Sequence, residues 1–282
     1  MKHIPMQSLD DGSRRFMARA AETVRRTAYD TSFSDFLTPR EQRLYYAAAD
    51  AEGQADRLFF YGGARAAERR CAVLVPEWLI GDAPDADPFG MEREAHLISL
   101  GENGVIDLSP SAVPVSLLGS GYASLTHRDW LGSILALGLE RTVVGDIAVL
   151  DERSAVVFVK PKIAAFITDS LTHAGSDTVH AAPTVLDAGF EIPRSFERME
   201  MTVASPRLDG VVRALTGLSR ADAAELVRTA AVELNYFTEE NTDAPVDDGD
   251  ILSIRGYGKF IVDSTNAVTR RGRNRLIARK YT

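Results

Sequence analysis

Apolar residues recur along this chain at two periods, and the element type changes where the period does. Leu208, Val211, Val212 and Leu215 fall at i, i+3, i+4 and i+7, the stripe of one helix face. Gly217 ends that helix, and Ser219 stands where an N-cap oxygen is needed. Asp222 follows three residues on, so a second helix buries Ala223, Leu226 and Val227. After Thr229 the pattern alternates, Val232 and Leu234 against Glu233 and Asn235. A strand over 251–254 follows the turn Asp247-Asp248-Gly249-Asp250.

The same reading predicts βαββαβ through the middle of the chain. A strand at 113–118 precedes a helix in which Thr126 caps, Asp129 completes the capping box and Trp130, Leu131, Ile134, Leu135 and Leu137 face inward up to Gly138. Strands at 147–150 and 155–159 meet at Asp151-Glu152. Pro161 then starts a helix burying Ile163, Phe166, Ile167 and Leu171, and a last strand lies near Val179. That order is shared by ferredoxin-like folds and RRM-type RNA binders, and many proteins with it bind no RNA. Toward the N-terminus the pattern predicts a helix over 13–29, a second from the capping box Thr38-Pro39-Arg40-Glu41 to about Ala51, strands at 58–61, 71–75 and 96–100, and a short helix over 64–70.

The expected fold class is therefore α+β in three small domains: an N-terminal α/β domain (1–110), a ferredoxin-like, RRM-like βαββαβ domain (111–183), and, after a linker (184–200), a two-helix module with its sheet (201–265), followed by a basic tail (266–282). A length of 282 residues suits two or three domains. The net charge of −8 argues against a protein that coats nucleic acid indiscriminately. From Met201 onward there are twelve Lys or Arg against eleven Asp or Glu, so the acidity lies mostly before that point. The tail places Arg270, Arg271, Arg273, Arg275, Arg279 and Lys280 in thirteen residues without an acid, a run suited to phosphates. No signal peptide or membrane-length apolar run is read from the sequence, which predicts a cytoplasmic protein. Cys71 is the single cysteine and opens an apolar run, as an inert buried thiol does. The histidines His3, His96, His127, His173 and His180 lack ligand spacing, and no metal site is expected.

The order R-L-D at 207–209, L-S-R-x-x-A-x-x-L at 218–226, V-x-L-N at 232–235 and D-G-D-I at 248–251 resembles the S4 (αL) RNA-binding domain. Residue by residue, the resemblance implies that Arg207, Ser219, Arg220, Arg228 and Asn235 face RNA. Thr229 and Ala231 depart from it, standing where a basic residue and a glycine are usual. Arginine's planar fork of donors independently suits phosphate oxygens and base faces. On charge alone the better reading of these arginines is an ordinary solvated helix face balanced by Asp209, Asp222 and Glu225, and the ordered motif, rather than the charge, reverses it. Arg255-Gly256-Tyr257-Gly258-Lys259 adds a glycine-flexible basic extension, which brings Arg255 and Lys259 into the candidate surface.

A wider likeness spans nearly the full chain. Phe36-Leu37-Thr38-Pro39-Arg40-Glu41, Gly62-Gly63 with Ala67-Glu68-Arg69-Arg70, Leu125-Thr126-His127-Arg128-Asp129-Trp130-Leu131-Gly132, Gly138-Leu139-Glu140-Arg141, Gly145-Asp146-Ile147 and the S4 module together resemble the YlmH family. The resemblance implies a non-enzymatic binder of structured RNA, ribosomal RNA and tRNA, on the large ribosomal subunit carrying peptidyl-tRNA, acting in rescue of stalled translation. No cofactor, membrane or DNA partner is expected, and the chain is expected to be a monomer. The alternatives are an RNA-modifying enzyme of the S4-containing pseudouridine synthase type and a protein adaptor linked to cell division. The synthase would need its G-R-L-D motif on a separate domain, and Arg207-Leu208-Asp209 lies inside the module itself. His127-Arg128-Asp129 resembles a kinase catalytic triplet, but Ile134 occupies the position of the required Asn. Asp129 reads as a cap. For His127 and Arg128 a second RNA contact at a helix N-terminus and a structural role stand level.

Overall fold

The computed structural model describes residues 4, 9–27, 29–187, 189–268 and 274–282. Tertiary packing divides the chain into two units that meet at Pro193–Arg194.

The first unit contains two sheets. Strands β1 (Ser32–Leu37), β2 (Leu58–Tyr61) and β3 (Arg70–Leu74) pair antiparallel in the order β1-β3-β2. Because side chains alternate across a strand, Leu58, Phe60, Ala72 and Leu74 meet helices α1 (Asp11–Arg26) and α2 (Pro39–Ala51) through Val24, Tyr45 and Ala49. Phe59 and Val73 turn the other way, toward Ile80 and Leu97 on α3 (Glu77–Ile80) and α4 (Met91–Glu102). The expected capping box is formed: Thr38 accepts from the Glu41 amide, and Glu41 accepts from the Thr38 amide. Two expectations change here. The stretch 96–100 lies inside α4 rather than in a strand. Residues 64–69 do not form a helix: Ala66 adopts a left-handed φ of 60°, and the amides of Glu68 and Arg69 donate to the Asp146 carboxylate at 2.6 and 3.3 Å. A partner more than seventy residues away takes donors that a helix would have kept local.

The second sheet comprises β4 (Val113–Gly119), β5 (Val144–Val149), β6 (Ser154–Val159), β7 (His173–Ala174) and β8 (Asp177–Pro183), in the order β5-β6-β4-β8-β7. With α5 (His127–Ala136) after β4 and α6 (Pro161–Ser170) after β6, the chain follows the βαββαβ path, extended by the small β7. Val115, Leu117 and Val157 pack with Trp130, Ile134 and Ile167 from the helices. Strand β6 is buried on both faces, since Val156 and Phe158 meet Phe36 and Cys71 of the first sheet's strands. The two sheets thus belong to one unit where the sequence pattern separates two domains.

The second unit is one six-stranded antiparallel sheet under two helices. Its strands are β9 (Phe196–Val203), β10 (Val232–Leu234), β11 (Phe237–Thr238), β12 (Ile251–Ile254), β13 (Gly258–Val268) and β14 (Asn274–Tyr281), in the order β11-β10-β12-β13-β14-β9. Helices α7 (Leu208–Thr216) and α8 (Arg220–Arg228) cover one face, where Leu208, Val211, Val212, Leu215, Ala223 and Val227 meet Leu252, Ile254, Phe260 and Val262. Two boundaries change. Residues 274–281 are a central strand, not a basic tail: Leu276 and Ala278 are fully buried, and β14 pairs with β13 on one side and β9 on the other. Strand β9 begins inside the stretch expected to be linker. Burying Leu276 and Ala278 requires only alternate positions, so the flanking Arg275 and Arg279 turn to the other face.

Candidate RNA-binding site

Arg207, Arg213 and Arg220 line a groove of about 360 Å³ bounded by α7, the start of α8 and the end of β9. Arg207 is the residue from which α7 departs, Arg213 stands on that helix's exposed face, and Arg220 opens α8. The turn of Gly217 into the left-handed region (φ 74°) brings the two helices together. At the floor sits Asp209, 6% exposed, which accepts from the Gly210 amide at 2.8 Å. One carboxylate thereby holds two cations: Arg207 Nε lies 3.5 Å from Asp209 Oδ1 and Arg220 Nε 3.8 Å from Oδ2, while Arg207 also pairs with Asp243. With side chains 42% and 78% exposed, Arg207 and Arg220 stay within reach of phosphate oxygens, while the Asp209 side chain, 9% exposed, fixes their position from below. The α7 N-terminus is itself not open to an anion. Its first amides, on Leu208 and Asp209, donate to the carbonyls of Ala244 and Thr242.

The remaining expected residues separate by direction. Ser219 caps α8: its hydroxyl accepts from the Asp222 amide at 3.2 Å and donates to the Asp222 carboxylate at 2.7 Å. Arg228 lies at the far end of α8, 3.9 Å from Glu225 and 60% exposed, away from the groove lining. Asn235 is turned inward, against the expectation that it faces RNA. It is 8% exposed, donates to the buried Asp250 at 2.5 Å and accepts from the Ile251 amide at 3.2 Å. Lys259 and Arg275 project from the sheet face opposite the helices, since their neighbours Phe260 and Leu276 fill the core under α7 and α8. Lys259 Nζ sits 5.1 Å from the Tyr236 ring and 4.7 Å from the Tyr281 ring. Arg275 is 2.6 Å from Glu200, whose carboxyl Arg275 and then Arg198 hold below the usual range. Arg255 is exposed in the β12–β13 turn. Arg270, Arg271 and Arg273 lie outside the described residues.

Arg213 is the groove residue that the sequence reading missed. The signal was present, because Arg213 follows Asp209 by one helical turn on the side away from the apolar stripe. Asp243, which steers Arg207, carried no such signal: it arrives from a loop more than thirty residues later.

In the first unit, His127 and Arg128 are exposed in the opening turn of α5. Asp129 is part of a reciprocal capping box, as expected: it accepts from the Thr126 amide at 2.9 Å, and bonding to Thr126 keeps its carboxyl below the usual range. Loss of hydration on one flank and then the Arg141 charge lower the His127 pKa, opposed by Asp146. Arg141 is bound to the Val144 and Gly145 carbonyls, and Arg69 to those of Val144 and Arg141. Arg69 therefore ties the two sheets together, while the Arg141 bonds stay within its own turn into β5.

Comparison with known proteins adds an independent line. Residues 118–187, from the end of β4 through β8, match the family model described as "Putative RNA-binding domain in YlmH". Across 267 residues, 93% of each chain, the sequence is 31% identical to the "Ribosome-associated protein quality control protein P2" of Bacillus subtilis (strain 168). The chain belongs to the YlmH family. A solved structure, "Cell division protein ylmH from Streptococcus pneumoniae", aligns over 63% of this chain and 93% of its own at 17% identity, with a TM-score of 0.43. In this YlmH-family chain, His127 and Arg128 fall inside the matched segment and the arginine groove beyond it. Among the described residues, no cluster of His, Cys, Asp or Glu is arranged to hold a metal ion, and no helix is long and apolar enough to cross a membrane.

Proposed function

We propose that this protein is a non-catalytic binder of structured RNA. In this reading it engages ribosomal RNA and tRNA on the large ribosomal subunit carrying peptidyl-tRNA, in the cytoplasm, as part of quality control of stalled translation. The observation that carries the reading is the groove in which Asp209 positions the exposed Arg207 and Arg220, with Arg213 beside them. Family membership supports it, as does the name of the Bacillus subtilis relative. In this proposal the chain comprises an N-terminal α/β region, an RRM-like region and a C-terminal S4-type region, and the last is the principal RNA anchor.

The groove sets the test. Arg207→Ala with Arg213→Ala and Arg220→Ala leaves up to three phosphates without their cations, so the slope of log affinity against log salt falls by about 0.7 to 0.9 for each of them. In a sucrose gradient of lysate with stalled translation, the wild-type chain sediments with large subunits and the triple variant stays at the top. Wild-type protein that never leaves the top fractions, or a variant with an unchanged salt slope, overturns the proposal.

A further inference from the structure

A second surface that suits RNA lies on α1, in the unit that carries most of the chain's acid. Within α1, Arg14, Arg15, Arg19, Arg25 and Arg26 stand against Asp11 and Glu22, and all five arginines are exposed. Arg15, Arg19, Glu22 and Arg26 fall at i, i+4, i+7 and i+11, a single stripe along the helix on the side away from Ala20 and Val24, which face the core. Arg25 and Arg26 engage Glu52 and Glu22 in exposed pairs, whose surface setting leaves them exchangeable.

Three residues beyond the helix end stands one ring of an aromatic pair. Tyr29 is 79% exposed and Trp78, on α3, is 62% exposed, with ring centroids 6.3 Å apart and planes tilted by 37°. Neither ring belongs to a hydrophobic core of the unit. Each covers so little of the other that mutual shielding does not account for the pair. Adjacent large exposed rings beside a cationic row match the demands of a single-stranded nucleic acid, whose bases stack on aromatic faces while its phosphates follow the cations. Asp30 and Glu77 flank the rings, which disfavours a phosphate there and reserves the aromatic end for a base.

We propose that α1 and the Tyr29–Trp78 pair form a binding surface for an unpaired RNA segment, with phosphates along Arg15, Arg19 and Arg26 and a base stacked on Trp78. This surface does not depend on the arginine groove of the second unit, and its test keeps the two apart.

The chain has two tryptophans, and Trp130 is 0% exposed, so quenching of tryptophan emission by an added ligand reports on Trp78. The probe is a twelve-nucleotide oligouridine added to the full chain in which Arg207, Arg213 and Arg220 are replaced by Ala. The expected result is saturable quenching that high salt removes. Arg15→Glu with Arg19→Glu abolishes it. Tyr29→Ala, which leaves Trp78 as reporter, weakens binding about tenfold, the effect of losing one stacking face. Absence of quenching in both the groove variant and the parent chain, or quenching unaffected by the Arg15 and Arg19 substitutions, overturns the inference. If instead the parent is quenched and the groove variant is not, the signal belongs to the groove and the α1 surface is likewise refuted.

Discussion

Replacing Asn235 by Ala separates the two roles open to that residue, and the structure sets the size of the effect. Asn235 and Tyr236 form the two-residue loop between β10 and β11, with φ of 52° and 70°, the doubly left-handed geometry of a primed hairpin turn. From that position the Asn235 amide group closes a clasp: Nδ2 donates to Asp250 Oδ1, and Oδ1 accepts from the Ile251 amide. Asp250 is 1% exposed, so the donor removed is one that serves a buried carboxylate. A hydrogen bond to a charged group contributes about 1.5–3 kcal/mol and one to a backbone amide about 1 kcal/mol. Asn235→Ala should therefore destabilise the second unit by roughly 3 kcal/mol, a large share of the 5–15 kcal/mol typical of a folded domain.

Both tryptophans lie in the first unit, so their fluorescence does not follow this loss. Hydrogen exchange read on peptides spanning 229–256 does. A 3 kcal/mol loss raises their exchange roughly a hundredfold where opening is global to the unit, since each 1.4 kcal/mol is a factor of ten. Asn235→Gly, which keeps the left-handed backbone without strain, should lose nearly as much, because the clasp and not the turn carries the energy. The reasoning is refuted if Asn235→Ala leaves exchange unchanged while RNA affinity falls tenfold, the result for a side chain that faces RNA.

Three further outcomes follow from local geometry. Ala230 sits at φ 56°, where a β-carbon costs about 1–2 kcal/mol, so Ala230→Gly should gain roughly 0.5–1 kcal/mol after glycine's greater unfolded-state entropy is subtracted, read as slower exchange in the same peptides. Gly145→Ala would place a β-carbon 2.6 Å from the buried Phe36 ring and 3.0 Å from the Phe158 carbonyl; the overpacking should cost about 1–3 kcal/mol and lower the melting temperature reported by tryptophan emission. Burial pushes the Cys71 thiol up to about 11, against the opposing pull of Lys160. At pH 8 the native chain should hence resist alkylation that goes to completion in urea, and rapid native labelling would contradict the burial.

What can be read from the sequence is what depends on near neighbours. The Thr38–Glu41 and Thr126–Asp129 capping boxes, the α7 stripe and the Gly217 stop each need only a few consecutive residues, and each is present in the structure. Features set by distant partners are not legible in this way. The loop at 64–69 is held by Asp146, and Arg207 is aimed by Asp243. Strand β14 is hidden for another reason. Arg275, Arg279 and Lys280 suggest a solvated tail, although Leu276 and Ala278 already alternate between them. The departure from the S4 pattern at the end of α8 falls one residue earlier than the sequence suggests: Ala230, rather than Ala231, takes the left-handed conformation that glycine favours.

The direction of each cation decides more than the count of cations. The second unit's basic residues divide between the two sides of one sheet: Arg207, Arg213 and Arg220 beside the helices, Lys259, Arg275 and Arg279 on the opposite face. On that opposite face Arg275 and Arg198 share Glu200, Arg279 meets Asp263 at 2.9 Å and Lys259 lies over two tyrosine rings. In the groove Arg207 is held by Asp209 and Asp243 and Arg220 by Asp209, and with Arg213 the three cations converge on one concave site, the arrangement that favours an incoming anion. Concavity, rather than a smaller share of carboxylates, therefore distinguishes the groove from the sheet's other face, and it is why the groove is the proposed RNA contact.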